Sequence, residues 1–78
     1  MPRDPLPNWI IESRRAIGVR IQALRIQANL RQPQFAERAS IDLRQLQRIE
    51  AGTADLRFHE LALISEALGV SVAELVTD

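Results

Sequence analysis

The chain has 78 residues, of which 46% are hydrophobic, so it is long enough for one small domain with a compact core. It contains no cysteine, which excludes disulfides and thiolate metal sites, and it has no apolar run of the ~20 residues that span a membrane. The net charge is zero overall, but the charges are unevenly distributed along the chain. Residues 1–31 contain six arginines and two acidic residues (net +4), and residues 53–78 contain one arginine and five acidic residues (net −4).

The first seven residues contain three prolines, which predict a flexible N-terminal arm over 1–7. Prolines and charges stand where a signal peptide has an apolar stretch, so no signal peptide is expected. With the absence of cysteine, this favours a cytoplasmic protein. Residues 8–78 are predicted to form a single domain.

The first helix is expected to begin at Asn8, a good N-cap residue, and to extend to Ala28. Gly18 lies inside it and either weakens one long helix or marks a junction between two. Trp9 is expected either to pack on the domain or to lie in a dimer interface. The apolar face of this helix has spacings of four, three and four residues: Ile17, Ile21, Leu24 and Ala28.

Two short helices are predicted next, over 32–39 and 43–51. Asp42 is a favourable N-cap for the second of them, and Gly52 suits the residue after its end. Two short helices joined by a turn of three to four residues are typical of the helix-turn-helix motif.

A loop over 53–57 leads to a fourth helix, 58–68, followed by Gly69. Ser71 and Glu74 have the spacing of a capping box and predict the start of a short fifth helix. No strand pattern is present, so the predicted fold class is all-α, a compact five-helix bundle. The expected apolar stripe of the fourth helix consists of Phe58, Leu61, Ile64 (or Ala62) and Leu68.

The helix over 43–51 has a polar side and an apolar side. At ~100° per residue, Leu43, Arg44, Gln47 and Arg48 fall within an arc of roughly 140°. Leu46 and Ile49 lie on the opposite side, facing the expected core. Arginine pairs with guanine and glutamine with adenine in the major groove, so the polar side is expected to face duplex DNA. The alternative is a solvated surface with exposed ion pairs of ~0–1 kcal/mol each.

Four segments in this order resemble the Cro/repressor-type helix-turn-helix family, also called the XRE family. They cover most of residues 17–76 and read I-G-x-R-I-x-x-L-R (17–25), Q-x-x-F-A (32–36), L-x-x-I-E-x-G (46–52) and L-x-x-I-x-x-A-L-G-V-S-x-x-E-L (61–75).

The resemblance implies a lambda-repressor-like fold and a transcriptional regulator that binds double-stranded DNA. A homodimer on a two-fold site is expected, because one recognition helix of this size buries too little surface to be selective alone. It implies a base-facing set of Leu43, Arg44, Gln47 and Arg48. It implies a phosphate-facing set of Gln32, Gln34, Gln45, Thr53 and Arg57, to which Arg31 is added as a further phosphate contact. It also implies a partly buried ion pair between Arg25 and Glu50.

Three positions depart from the family pattern. Arg31 replaces the usual serine or threonine and loses a side-chain cap of ~1 kcal/mol. Ser40 replaces the usual glycine of the turn and is expected at a positive φ. Leu43 replaces a residue that in the family is often polar and contacts a base. Leu43 either contacts a thymine methyl group or is an exposed leucine.

Other functions have less support in the sequence. His59 is the only histidine, so neither a metal site nor a cofactor is expected, and no serine has a histidine partner at usable spacing. The protein is therefore not expected to be an enzyme. The remaining alternative is a protein-interaction module such as an antitoxin, with a toxin as partner. The dimer surface is expected either at 71–76 or around Trp9 and Ile10.

Overall fold

The structure, a computed structural model, describes residues 6–77, which form five helices joined by short loops. They are α1 (Asn8–Gln27), α2 (Gln32–Ala39), α3 (Leu43–Glu50), α4 (Phe58–Leu68) and α5 (Val72–Val76). The prediction of an all-α, five-helix fold is confirmed. Most of the predicted arm, residues 1–5, lies outside the described residues, as does Asp78. None of the helices described combines the length and hydropathy that crossing a membrane requires.

The first helix is continuous through Gly18, so this glycine does not separate two helices. Gly18 is buried where α1 crosses α3. A Cβ atom at this position would lie 2.9 Å from the carbonyl oxygen of Glu50 and would collide with that of Ile49. A residue without a side chain lets the two helix backbones approach this closely. The approach explains why a residue that weakens helices stands in the middle of α1.

Two of the three predicted N-caps are present. The carboxylate of Asp42 accepts hydrogen bonds from two backbone N–H groups in the first turn of α3, at 3.0 and 3.3 Å. Ser71 Oγ accepts a hydrogen bond from the backbone N–H of Glu74 at 3.2 Å. The predicted cap of α1 is wrong, because Pro7 occupies the N-cap position and Asn8 is already the first helical residue.

The turn between α2 and α3 has the backbone conformation that the family resemblance implies. Ser40 is left-handed, with φ 56° and ψ 41°. The backbone N–H of Ile41 donates to the carbonyl oxygen of Ala36 at 2.9 Å and closes the end of α2. The turn therefore carries the strain that a left-handed residue with a Cβ brings.

Every helix contributes to the core, but some predicted apolar positions do not. Phe58 is 73% exposed, so its assignment to the apolar stripe of α4 is wrong. At ~100° per residue it lies roughly 120° from the buried Ile64. Ala28, at the end of α1, and Trp9 are also exposed. The largest fully buried side chains are Phe35, Ile21, Leu46, Ile49, Ile64 and Leu75.

Candidate nucleic-acid interface

The third helix turns its apolar side chains inward and its polar side chains outward. Leu46 is 0% exposed and Ile49 is 1% exposed, and both belong to the core. Arg44, Gln47 and Arg48 are exposed on the opposite side. An eight-residue helix thus presents two guanidinium groups and one amide on a single surface.

This surface contains a shallow depression lined by Arg44, Gln47, Arg48, Ala51 and Thr53. Ala51 was not among the predicted site residues. It follows Gln47 by four residues, so the spacing 44, 47, 48, 51 places it within the same arc of the helix. Its small side chain gives the end of the helix room for close approach by another molecule.

A second, more polar pocket adjoins the first and includes Gln45 and Arg57 as well as Arg48 and Thr53. Arg48 Nη2 donates a hydrogen bond to Gln45 Oε1 at 3.0 Å, and Thr53 Oγ1 donates to the Arg48 carbonyl oxygen at 3.3 Å. Gln45 Nε2 donates to Glu60 Oε1 at 3.4 Å. The structure therefore brings Gln45, Arg48, Thr53 and Arg57 together.

An acidic residue that the sequence analysis did not single out borders the same pocket. The side chain of Asp55 is 93% exposed and forms an ion pair with Arg14 of α1 at 3.1 Å. Such an exposed pair contributes little to stability. The carboxylate of Asp55 would repel a phosphate group bound at this pocket, and the guanidinium of Arg14 offsets part of that repulsion.

The start of α2 differs in part from the expectation. Arg31 and Gln34 are exposed, and Gln34 Oε1 accepts a hydrogen bond from the Arg31 backbone N–H at 3.0 Å. Gln34 thereby satisfies one donor at a helix start that lacks a side-chain cap. Gln32 is half-buried, and its Nε2 donates to Glu50 Oε1 at 3.1 Å. That donor points into the protein rather than toward an approaching phosphate.

A buried ion pair joins α1 to the end of α3. Arg25 Nε donates to Glu50 Oε2 at 2.7 Å, and Arg25 Nη2 donates to Glu50 Oε1 at 2.9 Å. Arg25 Nη1 also donates to the carbonyl oxygen of Leu30 at 2.8 Å. Arg25 is 8% exposed and Glu50 is 7% exposed, so the pair orients α3 from inside the protein and does not offer charge to a ligand.

Leu43, the first residue of α3, has a mixed environment. It is half-buried and packs against the core cluster, so only part of its side chain is available at the surface. Within residues 6–77, no group of three or more acidic, histidine or cysteine side chains has a geometry that would hold a metal ion.

Sequence comparison identifies a family. A family model described as helix-turn-helix matches residues 21–75 of the chain. A comparison with curated protein sequences finds no match.

Several solved structures have a similar fold. The clp gene regulator ClgR from Corynebacterium glutamicum matches with a TM-score of 0.77 and 26% identity, over 94% of this chain and 71% of that chain. The apo form of the competence regulator ComR from Streptococcus vestibularis matches with a TM-score of 0.75 and 31% identity, over 81% of this chain and 21% of that chain. The hypothetical transcription factor NHTF from Neisseria has a TM-score of 0.80 at 17% identity, over 97% and 86% of the two chains, and shows a likeness of fold alone.

Proposed function

This chain belongs to the helix-turn-helix family of the Cro/repressor (XRE) type, and we propose that it is a transcriptional regulator that binds duplex DNA sequence-specifically. The observation that carries the proposal is the outward orientation of Arg44, Gln47 and Arg48 on α3. Similarity to ClgR and ComR, both described as regulators, supports it. A protein of this kind needs no catalytic group and acts on DNA in the cytoplasm.

In this proposal, α3 enters the major groove and α2 crosses the DNA backbone. Arg44 and Arg48 donate pairs of hydrogen bonds to guanine O6 and N7, and Gln47 pairs with adenine N6 and N7. The exposed part of Leu43 contacts a thymine methyl group. Because α3 has only eight residues, few base pairs are read by one protein molecule.

Phosphate contacts on both sides of α3 would position it in the groove. Those phosphate contacts come from the exposed side chains of Arg31 and Gln34 on one side and from the pocket around Arg57 on the other. The backbone N–H groups at the start of α2 add partial positive charge. Gln32 donates one hydrogen of its Nε2 to Glu50 and so helps to hold the end of α3. The second hydrogen of the same amide group remains for a phosphate contact. The full phosphate-facing set is Arg31, Gln32, Gln34, Gln45, Thr53 and Arg57.

Salt dependence provides the first test. Fluorescence anisotropy with a labelled random duplex pool should show binding that weakens steeply between about 50 and 200 mM salt, because phosphate contacts release counterions. Selection from the same pool should then enrich one sequence. Absence of any salt-dependent binding at the lower salt concentration would exclude the proposal.

The variant Arg44→Ala should weaken binding to the selected sequence by about 1–3 kcal/mol and relax the preference at one base pair. Its stability should be unchanged, because Arg44 is exposed. Arg15→Ala is the matched control, since it removes an exposed arginine of α1 that belongs neither to the proposed DNA-contacting residues nor to the groove proposed below as the dimer interface. The proposal predicts a large difference between these two variants in the same anisotropy titration, and equal affinities would contradict the role of Arg44.

We also propose that the protein acts as a homodimer on a two-fold site, because two half-sites supply the selectivity that one short helix lacks. The two surfaces considered from the sequence border one groove of about 310 Å³ between α1 and α5. Trp9 and Val76 line it and are 68% and 46% exposed. A second copy that covers this groove would bury both side chains.

A double variant, Trp9→Ala with Val76→Ala, should shift the sedimentation mass from dimer to monomer. It should also weaken binding to a two-fold site more than binding to a single half-site. Phe58→Ala is the matched control, because it removes an equally exposed aromatic side chain from another surface. A dimer that persists in the double variant would rule out this groove as the interface.

A protein-interaction module such as an antitoxin, with a toxin as partner, is the second candidate function. The observation that favours it is the exposure of Val19 and Ile26, at 62% and 57%, on a side of α1 away from α3. DNA titration separates the two candidates, because only the first requires sequence-specific binding by the isolated protein.

A further inference from the structure

One side chain of the third helix lies between a carboxylate and a guanidinium. Gln45, in the first turn of α3, is half-buried, and its side chain reaches the first turn of α4. Its Nε2 donates to Glu60 Oε1 at 3.4 Å, and its Oε1 accepts from Arg48 Nη2 at 3.0 Å. These two hydrogen bonds connect a buried acid of α4 with an exposed arginine of the proposed DNA-contacting surface.

The two neighbours fix the orientation of the Gln45 amide group. An ionised carboxylate only accepts hydrogen bonds, and a guanidinium only donates them. The amide nitrogen therefore faces Glu60 and the amide oxygen faces Arg48, since the reversed amide would place two acceptors together and two donors together. A charged side chain at position 45 would repel one of the two neighbours, so a neutral amide suits this position.

Glu60 is itself held in place by the start of its own helix. It is 9% exposed, and its Oε1 also accepts a hydrogen bond from the backbone N–H of Arg57 at 3.0 Å. That bond belongs to the capping box of α4 and ties the carboxylate to the helix backbone. The acceptor that Gln45 contacts therefore has little freedom to move.

Arg48 is held at its backbone as well as at its guanidinium. Its carbonyl oxygen accepts hydrogen bonds from the backbone N–H of Thr53 at 3.0 Å and from Thr53 Oγ1 at 3.3 Å. Gln45 takes one of the five N–H hydrogens that an arginine side chain carries, and a guanine needs only two. Arg48 is therefore able to contact a base without releasing Gln45.

We propose that Gln45, held by Glu60, is a positioning residue that increases selectivity at the base pair contacted by Arg48. This role rests on the proposed function, in which Arg48 donates to guanine. A free arginine side chain loses rotamer freedom on binding, whereas a guanidinium that is already held loses less. A free side chain can also turn toward another base or a phosphate, so holding it raises the discrimination between base pairs.

The proposed role differs from a phosphate contact in what it predicts for different DNA sequences. A phosphate contact of Gln45 would strengthen binding to every duplex alike, because phosphates carry no sequence information. Positioning of Arg48 would instead strengthen binding only where the base pair fits the held guanidinium. The preference among base pairs therefore separates the two roles, whatever the change in overall affinity.

Anisotropy titrations should compare the selected duplex with duplexes that have the other base pairs at the position where Arg48→Ala loses its preference. Gln45→Ala should reduce the preference there at least about fivefold and leave the preference at the Arg44 base pair unchanged. This variant should stay folded, because alanine is the best helix former. An equal loss of affinity for all the duplexes would overturn the proposal and leave Gln45 with a phosphate contact alone.

Variants of Glu60 test the second part of the arrangement. Glu60→Gln should keep the base preference, because its amide oxygen can accept the same two hydrogen bonds from Gln45 and Arg57. Glu60→Ala removes that acceptor and should reduce the preference in the same direction as Gln45→Ala. A full base preference in Glu60→Ala would contradict the proposal.

A measurement on the free protein gives a readout that does not need DNA. Nuclear magnetic resonance measures rotation of a guanidinium about its Nε–Cζ bond, which a hydrogen bond to Nη2 slows. Arg44 is the reference, because it is exposed on the same helix and its side chain has no hydrogen-bond partner within residues 6–77. Arg48 should rotate more slowly than Arg44, and Gln45→Ala should remove the difference. Equal rotation in the unmodified protein would refute the proposal.

The two kinds of failure are distinguishable. If the unmodified protein does not bind DNA, the proposed function fails. If it binds one sequence selectively and Gln45→Ala keeps the full base preference, only the positioning role of Gln45 is refuted.

Discussion

Replacing Glu50 with alanine is expected to lower the free energy of unfolding by about 3–5 kcal/mol. The change removes the carboxylate that accepts two hydrogen bonds from Arg25 and one from Gln32. Arg25, which is 8% exposed in the intact protein, would keep its full charge with only the carbonyl oxygen of Leu30 as a partner. Small domains have a total stability of roughly 5–15 kcal/mol, so this loss is a large part of the whole.

Urea denaturation followed by circular dichroism measures this loss directly. Asp55→Ala is the matched control, because it also removes a carboxylate from an arginine, but from the exposed pair with Arg14. That control should change stability by no more than about 1 kcal/mol. If Glu50→Ala does not fold, the double variant R25M/E50L should fold better, because it leaves no unpaired buried charge. Similar midpoints for Glu50→Ala and Asp55→Ala would contradict the importance of the buried pair.

Replacing Gly18 with valine is expected to lower the free energy of unfolding by about 3 kcal/mol or more, because overpacking typically costs ~1–3 kcal/mol and this site has no room for a side chain. The Cβ atom would collide with the carbonyl oxygen of Ile49 and lie 2.9 Å from that of Glu50. Backbone oxygens in α3 cannot rotate away as a flexible side chain can. The helices must therefore separate, which also disturbs the Arg25 pair at the same end of α3.

The control for this variant is Ala23→Val, which introduces the same β-branched residue into the same helix on its exposed side. Ala23→Val should lower the free energy of unfolding by only about 0.5 kcal/mol, which is the difference in helix propensity between alanine and valine. Gly18→Ala should fall between the two, because a favourable change in helix propensity of up to ~1 kcal/mol partly offsets the collision. Thermal denaturation of the three variants gives the order, and a Gly18→Val variant as stable as Ala23→Val would show that the helices do not meet at this point.

The Gly18 contact and the Arg25–Glu50 ion pair both lie at the C-terminal end of α3, the helix proposed to enter the major groove. Gly18 and Arg25 are seven residues apart, which is about two turns of α1, and they meet α3 at Ile49 and Glu50. A helix of eight residues has little stability of its own. The orientation of α3 therefore depends on its contacts with α1 and on the burial of Leu46 in the core.

Several features of the fold were predictable because they depend on residues close together in the chain. The caps at Asp42 and Ser71 require only a hydrogen-bonding side chain next to a helix start, and both are present. The opposite orientation of Leu46 and Arg48 on α3 follows from their angular separation on one helix. Local rules also described the left-handed residue at Ser40, once the family resemblance had indicated the turn.

The sequence by itself determined the number and order of the helices, their principal caps and the two sides of α3, because all of these follow from spacing along one segment. Only the tertiary structure decided which side chains meet across segments. It placed Gly18 against α3, turned Gln32 toward Glu50, left Phe58 in solvent and packed Leu43 against the core. The physical reason is that helical periodicity gives the direction of a side chain relative to its own axis, whereas its environment depends on how closely and at what angle other helices approach.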